Sequence, residues 1–307
     1  VGAPLVLWSR TPIIHAHMAE DGGWTPDVIQ AEAGKPLHLK FTSDDVVHGF
    51  AVGQMNMQSM DIEPGKVTDV TLTFDKPGIY TFYCTRWCGL NHWRMRGTIE
   101  VTGASYSDPR PVSPPLYVSL NLDIDARHAA PSIPNIQPSA IGGQSLAVDN
   151  SITLSHKDYF IKTPFEVFDS LKNTSLTDQE RWDVVAYLWR SNTTPDSLAN
   201  GQQLYAQNCA ACHGENGAGD GVFADDLEEA GKASMQTMTG AHNMVMQVPP
   251  DLTDPRRMLG ASPALLQGKL LRGGMGTGMP MWGVIFTEEQ IWDVIAYLYS
   301  FQFEYSL

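Results

Sequence analysis

The four cysteines of this 307-residue chain form two pairs, and each pair has a spacing typical of a redox cofactor site. Cys84 and Cys88 lie in a segment that also holds a histidine and a methionine. Cys209 and Cys212 lie in a Cys-x-x-Cys-His motif. No other cysteine and no motif for a catalytic nucleophile accompany them in the sequence. Two one-electron centres in one polypeptide indicate a chain that conducts electrons.

The first pair predicts a dinuclear copper site. Such a site needs two bridging thiolates, one terminal imidazole for each copper and weak axial donors. The loop that carries Cys84 and Cys88 also supplies His92 and Met95, and we expect the second imidazole from His48 on another strand. Thiolate, thioether and imidazole donors together select copper over hard cations. A mononuclear blue-copper site uses a single cysteine, so the second cysteine distinguishes the two kinds of site.

Two other arrangements use the same residues. A Cys₂His₂ zinc site would take both cysteines with His48 and His92, but it would not need Met95. A disulfide between the two cysteines would leave the histidines without a role. The coincidence of all these ligand types favours copper.

The second pair predicts covalent attachment of haem. Cys209 and Cys212 would form thioethers to the haem vinyl groups, and His213 would be the proximal iron ligand. The distal ligand is expected from a methionine before the last helix. Met279, followed by Pro280, fits best. The neighbouring alternatives are Met275 and Met281.

Other residues of metal-binding type are assigned to packing or to the surface. The methionine-rich segment 235–246 is conceivable as a copper(I) delivery loop, but methionine also fills irregular cores around haem, and we prefer the core interpretation. Five histidines show no spacing that predicts a ligand partner: His15, His17, His38, His128 and His156. His38 alternates with Leu37 and Leu39, which predicts the solvent face of a strand.

The elements that must hold these residues change along the chain. Residues 12–103 alternate between apolar and polar residues in short segments such as 37–41, 67–74 and 79–83, separated by Gly- and Pro-containing turns. This pattern predicts a β-sandwich or barrel. Residues 105–140 are rich in Pro, Ser and Asn and predict a linker or wrapping segment, and from about residue 160 the periodicity is helical.

The helical region contains a repeat. Residues 177–188 recur 110 residues later as 287–298, with the pattern Trp-Asp-Val-x-Ala-Tyr-Leu in both copies. The second copy opens on Thr287, and its first turn looks like a capping box. The repeat favours a duplicated cytochrome-like unit whose first copy, lacking Cys-x-x-Cys-His, holds no covalent haem. Convergence of two amphipathic helices is the alternative.

The charge distribution bears on partners and location. The formal charge is −14, with −3 over residues 1–104 and −11 over residues 105–307. An acidic C-terminal half argues against nucleic acid and for a cationic or dipolar protein partner, although a solubilising surface explains it equally well.

No segment approaches the roughly 20 apolar residues of a membrane span. Because the chain begins at Val1, we expect that a signal or anchoring segment was removed; covalent haem implies an extracytoplasmic site of maturation.

Residues 12–103 resemble the cupredoxin domain of cytochrome c oxidase subunit II. The shared pattern is Asp-Val-Val-His-Gly-Phe around His48, then Pro77-Gly78, then the cysteine loop. The resemblance implies that the backbone carbonyl of Arg86 is also a copper ligand. Many family members carry Glu or Gln at this position, so Arg is a departure that puts a positive charge near the metal. Nitrous oxide reductase has the same loop, but its large catalytic domain has no room in this chain.

Residues from about 197 to 303 resemble class I cytochromes c. The expected architecture is therefore multidomain, with a β-sandwich cupredoxin domain and an all-α cytochrome c domain. We assign residues 1–104 to the cupredoxin, residues 105–196 to a linker and a degenerate haem-less cytochrome-like segment, and residues 197–307 to the cytochrome c domain.

The order of the two domains resembles subunit II of cytochrome-c-fused terminal oxidases. This resemblance implies electron flow from an external donor protein through haem c and the dinuclear copper to a membrane haem-copper oxidase subunit, with no catalysis by this chain alone. Trp87 and Trp93 are candidates for the electron entry surface, with simple packing of the loop as the alternative. The rival functions are the electron-entry subunit of a nitric oxide reductase and a free extracytoplasmic electron shuttle.

Overall fold

The computed structural model describes residues 13–55, 57–86, 88–89, 92–103, 114–225, 249–274 and 279–305. The chain divides into two compact units, residues 1–112 and residues 113–307. Within the described ranges, no helix has both the length and the apolar character required to cross a membrane. The two units differ in secondary structure, as the sequence predicts.

The first unit consists of strands, and two of its sheets face each other around one core. The strands are β1 (Ile13–Ala16), β2 (Trp24–Thr25), β3 (Val28–Glu32), β4 (Pro36–Ser43), β5 (His48–Val52), β6 (Met60–Ile62), β7 (Thr68–Thr73), β8 (Gly78–Tyr83) and β9 (Arg96–Thr102). One sheet has the order β2-β1-β4-β7 and the other β3-β9-β8-β5-β6. The predicted β-sandwich of cupredoxin type is confirmed.

Alternation along the strands builds the core of this unit. In β7, Val70 and Leu72 are buried while the intervening threonines point outward. At the centre, the Trp24 ring lies 5.7 Å from Phe41 and 5.6 Å from Phe82, centroid to centroid. Aromatic side chains of this size bury large areas and dominate the energetics of a small core. The prediction that His38 faces solvent is also confirmed, since it is exposed between Leu37 and Leu39.

The second unit is helical. Its helices are α1 (Leu116–Ser119), α2 (Ala140–Asp149), α3 (His156–Ile161), α4 (Pro164–Ser170), α5 (Asp178–Ser191), α6 (Pro195–Asn208), α7 (Ala210–His213), α8 (Pro255–Met258), α9 (Pro263–Arg272) and α10 (Glu288–Leu298). Helices α5 and α10 carry the two copies of the sequence repeat, and each begins with the same hydrogen-bonded capping motif. Thr177 and Thr287 are N-caps of complete capping boxes, so the predicted box at Thr287 is confirmed.

Residues 116–125, near the start of the second unit, are held against α9. The Lys269 ammonium donates to the carbonyl of Ile124 at 2.8 Å, and the Arg272 guanidinium makes a two-pronged ion pair with Asp125 at 2.5 and 2.6 Å. Gly268 allows this approach, because a Cβ there would stand 2.7 Å from the Ile124 side chain. Residues 116–125 therefore form part of the packed second unit. They bring the chain against the C-terminal end of α9.

Candidate metal and haem sites

The cysteine loop is closed by the ends of three paired strands. β8 ends at Tyr83, which pairs with Arg96 at the start of β9 and with Ala51 of β5. The backbone amide of Cys84 donates to the carbonyl of Met95 at 3.1 Å. Because these hydrogen bonds join the two ends of the loop, Cys84 and Met95 are held on a rigid frame. β5 itself begins at His48, which brings the distant histidine to the same frame.

The predicted copper ligands converge on one small volume. The Sγ atoms of Cys84 and Cys88 lie 3.9 Å apart, and the Nδ1 atom of His48 lies 3.8 Å from Cys84 Sγ. Cys88 Sγ lies 3.4 Å from Nδ1 of His92 and 3.7 Å from Sδ of Met95. Both cysteines, His48 and Met95 are buried. The two thiol sulfurs thus lie between two imidazoles, His48 beside Cys84 and His92 beside Cys88.

The thiols are arranged as metal ligands and not as a disulfide. All four cysteines of the chain are free. Burial acts to raise the pKa of Cys84, but hydrogen bonds from Cys88, His48 and His92 outweigh it and hold that pKa well below its usual range. The hydrogen bond to Cys84, together with burial, raises the pKa of Cys88. Two sulfurs this close, one of them with a lowered pKa, fit a site where thiolates bind metal ions.

A carboxylate that we did not predict orients His48. Asp45 Oδ1 lies 2.6 Å from Nε2 of His48 and so leaves Nδ1 facing the sulfurs. The carboxylate is itself held, since Met18 N and Val46 N donate to it at 2.6 Å each. Burial acts to raise the pKa of Asp45, but the bonds to His48 and the two amides lower it. Such carboxylate–imidazole pairs fix the orientation of metal-binding histidines; the spacing of three residues was the available sequence signal.

Arg86 has two separate roles for its backbone and its side chain. Its carbonyl oxygen lies 3.1 Å from Cys84 Sγ, in the position implied for a backbone ligand. Its guanidinium donates to both oxygens of Asp61, at 2.5 and 2.6 Å. The positive charge expected near the metal is therefore paired with a carboxylate. Trp87 lies outside the described residues, as does the side chain of Trp93, so the entry surface stays a prediction.

The donor set fits a dinuclear copper centre. Two sulfurs, two imidazole nitrogens, one thioether and one carbonyl lie around a single buried position, and soft donors of this kind suit copper. His48, Cys84 and Cys88 place their ligand atoms within 4.8 Å of one another. A tetrahedral zinc site would leave the thioether and the carbonyl unused.

The Cys-x-x-Cys-His motif lies at the end of α6, in the second unit. His213 Nδ1 lies 3.5 Å from the carbonyl oxygen of Pro250, which leaves Nε2 for an iron ligand. Burial lowers the pKa of His213, so the imidazole is held in its neutral, ligating form. Burial also raises the pKa of Cys209, to about 12, and that of Cys212. A buried Cys209 and a half-buried Cys212 beside a neutral imidazole fit attachment of haem.

The loop after His213 is built from glycines that allow close packing. Gly219 N donates to the His213 carbonyl at 2.8 Å, and Leu252 N donates to the carbonyl of Gly217 at 2.7 Å. Gly217 has φ of +80°, and a Cβ there would stand 2.8 Å from the Phe301 ring. These contacts press residues 249–252 against the histidine, and so they position the Pro250 carbonyl.

The predicted distal methionine, Met279, lies beside the C-terminal end of α9. Gly274 N donates to the carbonyl of Met279 at 3.2 Å, and a Cβ on Gly273 would stand 2.4 Å from the Pro280 carbonyl oxygen. Met279 is half-buried, whereas Met281 is 54% exposed. The alternative Met275 and the methionine-rich segment 235–246 lie outside the described residues. The choice of Met279 therefore stays a prediction.

This fold and these two sites define a class of protein: an electron-transfer chain with a cupredoxin unit and a cytochrome-like helical unit. Comparison with known families agrees. Residues 27–102 match the family model of the cytochrome c oxidase subunit II periplasmic domain, and residues 198–302 match that of cytochrome c. These matched regions are therefore a subunit II domain and a cytochrome c domain. They imply dinuclear copper, haem and an extracytoplasmic location.

Individual relatives match a part of the chain. Cytochrome c oxidase subunit 2 of Thermus thermophilus is 42% identical over 79 residues, which are 26% of this chain and 58% of the relative. Subunit 2 of Apis mellifera ligustica is 37% identical over 71 residues, 23% of this chain and 31% of the relative. The chain thus spans less than two thirds of either relative. The crystal structure of the periplasmic domain of cytochrome oxidase subunit II from Bradyrhizobium japonicum has a TM-score of 0.22 and 25% identity, covering 24% of this chain and 53% of that one.

Proposed function

We propose that this chain is the electron-entry subunit of a membrane haem-copper oxidase. It would take electrons from an external donor protein and pass them, by way of haem c and the dinuclear copper centre, to the oxygen-reducing subunit. The main observation behind the proposal is that the side chains of five residues converge at the ends of the strands: His48, Cys84, Cys88, His92 and Met95. The same chain also contains the Cys-x-x-Cys-His motif. When bound, the two groups supply reversible one-electron chemistry.

In this proposal the chain's own residues bind, orient and shield the two centres. Six copper ligands are proposed: His48, Cys84, the carbonyl of Arg86, Cys88, His92 and Met95. Four residues would hold haem: Cys209 and Cys212 through thioether bonds, with His213 and Met279 as the iron ligands. Rigid frames support this role, because ligands that stay in place in both redox states keep the reorganisation energy low. Met and His together also favour a higher potential than two histidines.

The domain assignment forms part of the proposal: cupredoxin over residues 1–104, a haem-less cytochrome-like segment within 105–196, and cytochrome c over 197–307. Support for the middle segment comes from its packing, since α2 and α5 pair as α6 and α10 do. We also propose that a segment outside the present sequence anchors the chain to the membrane. An anchored subunit stays next to its electron acceptor.

Purification from native membranes tests the function. If the proposal holds, a large haem-copper subunit copurifies and the complex consumes oxygen when a reduced donor is supplied. Consumption of nitric oxide in place of oxygen would assign the chain to a nitric oxide reductase. A chain that is released alone, with copper and haem and without any partner, would be a free shuttle and would contradict the proposal.

Matched variants connect this activity to the two sites. Cys88→Ser removes one bridging sulfur, and His213→Ala removes the proximal imidazole, so each should abolish gas consumption by the complex. His156→Ala alters an exposed histidine of the second unit that contacts Asn192 and should leave the rate unchanged. Paramagnetic resonance of the parent should show one electron shared by two copper nuclei, and a single-copper pattern would contradict the dinuclear assignment.

A further inference from the structure

We propose that His15, His17 and Asp44 form a surface site for a divalent transition metal, separate from the two redox centres. Nδ1 of His15 lies 2.7 Å from Oδ2 of Asp44, and Nε2 of His17 lies 3.2 Å from the same oxygen. The two imidazole rings are nearly parallel, with centroids 6.5 Å apart. Two ring nitrogens therefore converge on one carboxylate oxygen. Sequence spacing gave no partner for these histidines, and the fold brings them to the carboxylate of Asp44.

The backbone that carries the three residues is rigid. His15 lies in β1, which pairs with β2 on one side and with β4 on the other. His17 N donates to the carbonyl of Gly23 at 2.8 Å, and Asp44 N donates to the carbonyl of Ala16 at 3.1 Å. His15 therefore lies in an interior strand of the sheet, and His17 and Asp44 directly follow the paired strands β1 and β4. Sites on rigid elements hold their ligands more reproducibly than sites on loops.

The chemistry of the three side chains selects the class of metal. Two imidazoles and one carboxylate suit Zn²⁺, Cu²⁺ or Ni²⁺, whereas Mg²⁺ and Ca²⁺ prefer oxygen ligands alone. The side chains are 44%, 30% and 39% exposed for His15, His17 and Asp44, so an ion has access from solvent. An ion bound here would replace the direct contacts between the imidazoles and the carboxylate, and water would complete its coordination.

The site is distinct from the copper centre, although it lies on the same turn. The carboxylate of Asp45 is committed to His48 and to two backbone amides, while that of the adjacent Asp44 is directed to His15 and His17. No residue is common to the two ligand sets. Zinc binding at the surface can therefore be measured with the copper centre fully loaded.

The test is calorimetric titration of the holoprotein, with copper and haem in place, against zinc chloride. Copper loading matters because free Cys84 and Cys88 would themselves bind zinc. We expect one equivalent of zinc to bind to the parent protein and no heat from magnesium chloride. His15→Ala/His17→Ala should weaken zinc binding by at least about tenfold, since even the loss of an outer-shell partner costs about 10- to 100-fold.

His38→Ala is the matched control, because His38 is an exposed histidine of the same sheet whose ring contacts Thr71 instead of a carboxylate. It should bind zinc as the parent does. Asp44→Asn keeps both imidazoles and should give a partial loss, and it serves as the test if the double variant fails to retain copper and haem spectra. Equal zinc affinity in the parent and in either of these site variants would overturn the proposal, as would absence of zinc binding by the parent.

Discussion

The backbone of Gly143 lies directly against that of Asp183: a Cβ built on the glycine would stand 1.9 Å from the Asp183 carbonyl oxygen. Gly201 has the same relationship with Asp293, at 2.0 Å. The first contact joins α2 to α5, and the second joins α6 to α10. The two copies of the sequence repeat are therefore the second members of two helix pairs that cross in the same way, each at a glycine.

The sequences that follow the two glycines can be compared at equal distances along the chain. Eight residues after Gly201 is Cys209, whereas eight residues after Gly143 is Ser151. Ser155 occupies the position that corresponds to His213. The middle segment thus has hydroxyl side chains where the haem segment has its first thiol and its imidazole, and this supports the proposal that the segment holds no covalent haem.

The helix crossing predicts opposite effects on stability when two adjacent glycines, Gly142 and Gly143, are replaced by alanine. Gly143→Ala should lower stability by about 1–3 kcal/mol because the methyl group overlaps the Asp183 backbone. Gly142→Ala should be neutral or stabilising by up to about 1 kcal/mol, since its nearest contact is an ordinary 3.5 Å and Ala favours helix. Chemical unfolding monitored by the haem band compares the two variants. Equal effects would contradict the close crossing.

Asp45 is predicted to support copper binding through His48. Asp45→Ala removes the 2.6 Å contact to Nε2 and should lower copper affinity by about 10- to 100-fold, because the ring loses its orienting partner. Competition with a copper chelator measures the change. Asp69→Asn is the control, since that exposed carboxylate of the same unit pairs with Lys40 and its loss should leave copper affinity unaltered. The role assigned to Asp45 fails if both variants behave alike.

The Arg86–Asp61 ion pair is predicted to balance the charge near the copper centre. Asp61→Asn leaves the guanidinium unpaired and should raise the midpoint potential of copper, because a positive charge favours the reduced state. Arg86→Gln leaves the carboxylate unpaired and should lower it. The double variant should return close to the parent, as measured by redox titration. If both single variants shifted the midpoint potential of copper in the same direction, the ion pair would not balance the charge near the metal.

Asp125 and Arg272 predict a pH-dependent contribution to stability. The hydrogen bond from Arg272 lowers the pKa of Asp125, so the stabilising ion pair is present above the ordinary carboxyl pKa of about 3.9 and is lost as pH falls through the lowered value. Because the pair is exposed, Asp125→Asn should cost at most about 1 kcal/mol at neutral pH. The gap between parent and variant should close in acid. Adding Arg272→Gln to the Asp125→Asn variant should lower stability little further. A second loss of stability as large as the first would show that the two residues act separately.

Met279 is predicted to be the distal haem ligand. Met279→Ala should abolish the Met-ligated absorption spectrum of the oxidised protein and lower the haem potential, because a thioether ligand favours the reduced iron. Met281→Ala alters an exposed methionine two residues away and should preserve both properties. Optical spectra and redox titration of the two variants decide between the positions. A Met-ligated spectrum that survives Met279→Ala would exclude this residue.

Features that depend on near neighbours could be predicted from the sequence. The spacing of Cys84, Cys88, His92 and Met95 places four donors on one short loop whatever the rest of the fold does. The haem motif and the capping boxes at Thr177 and Thr287 are likewise complete within a few residues. The alternation in β7 indicated the sandwich because strand periodicity reflects which side is buried.

Other features depend on contacts between residues that are distant in the chain. Asp61 meets Arg86 across 25 residues, and Asp44 meets His15 across 29. These pairs depend on strand register, which sets β1 beside β4 and β5 beside β6. Side chains alone do not encode such register in any local pattern, because it results from packing the whole sheet. For this reason His15 and His17 looked solitary in the sequence and share a carboxylate in the folded protein.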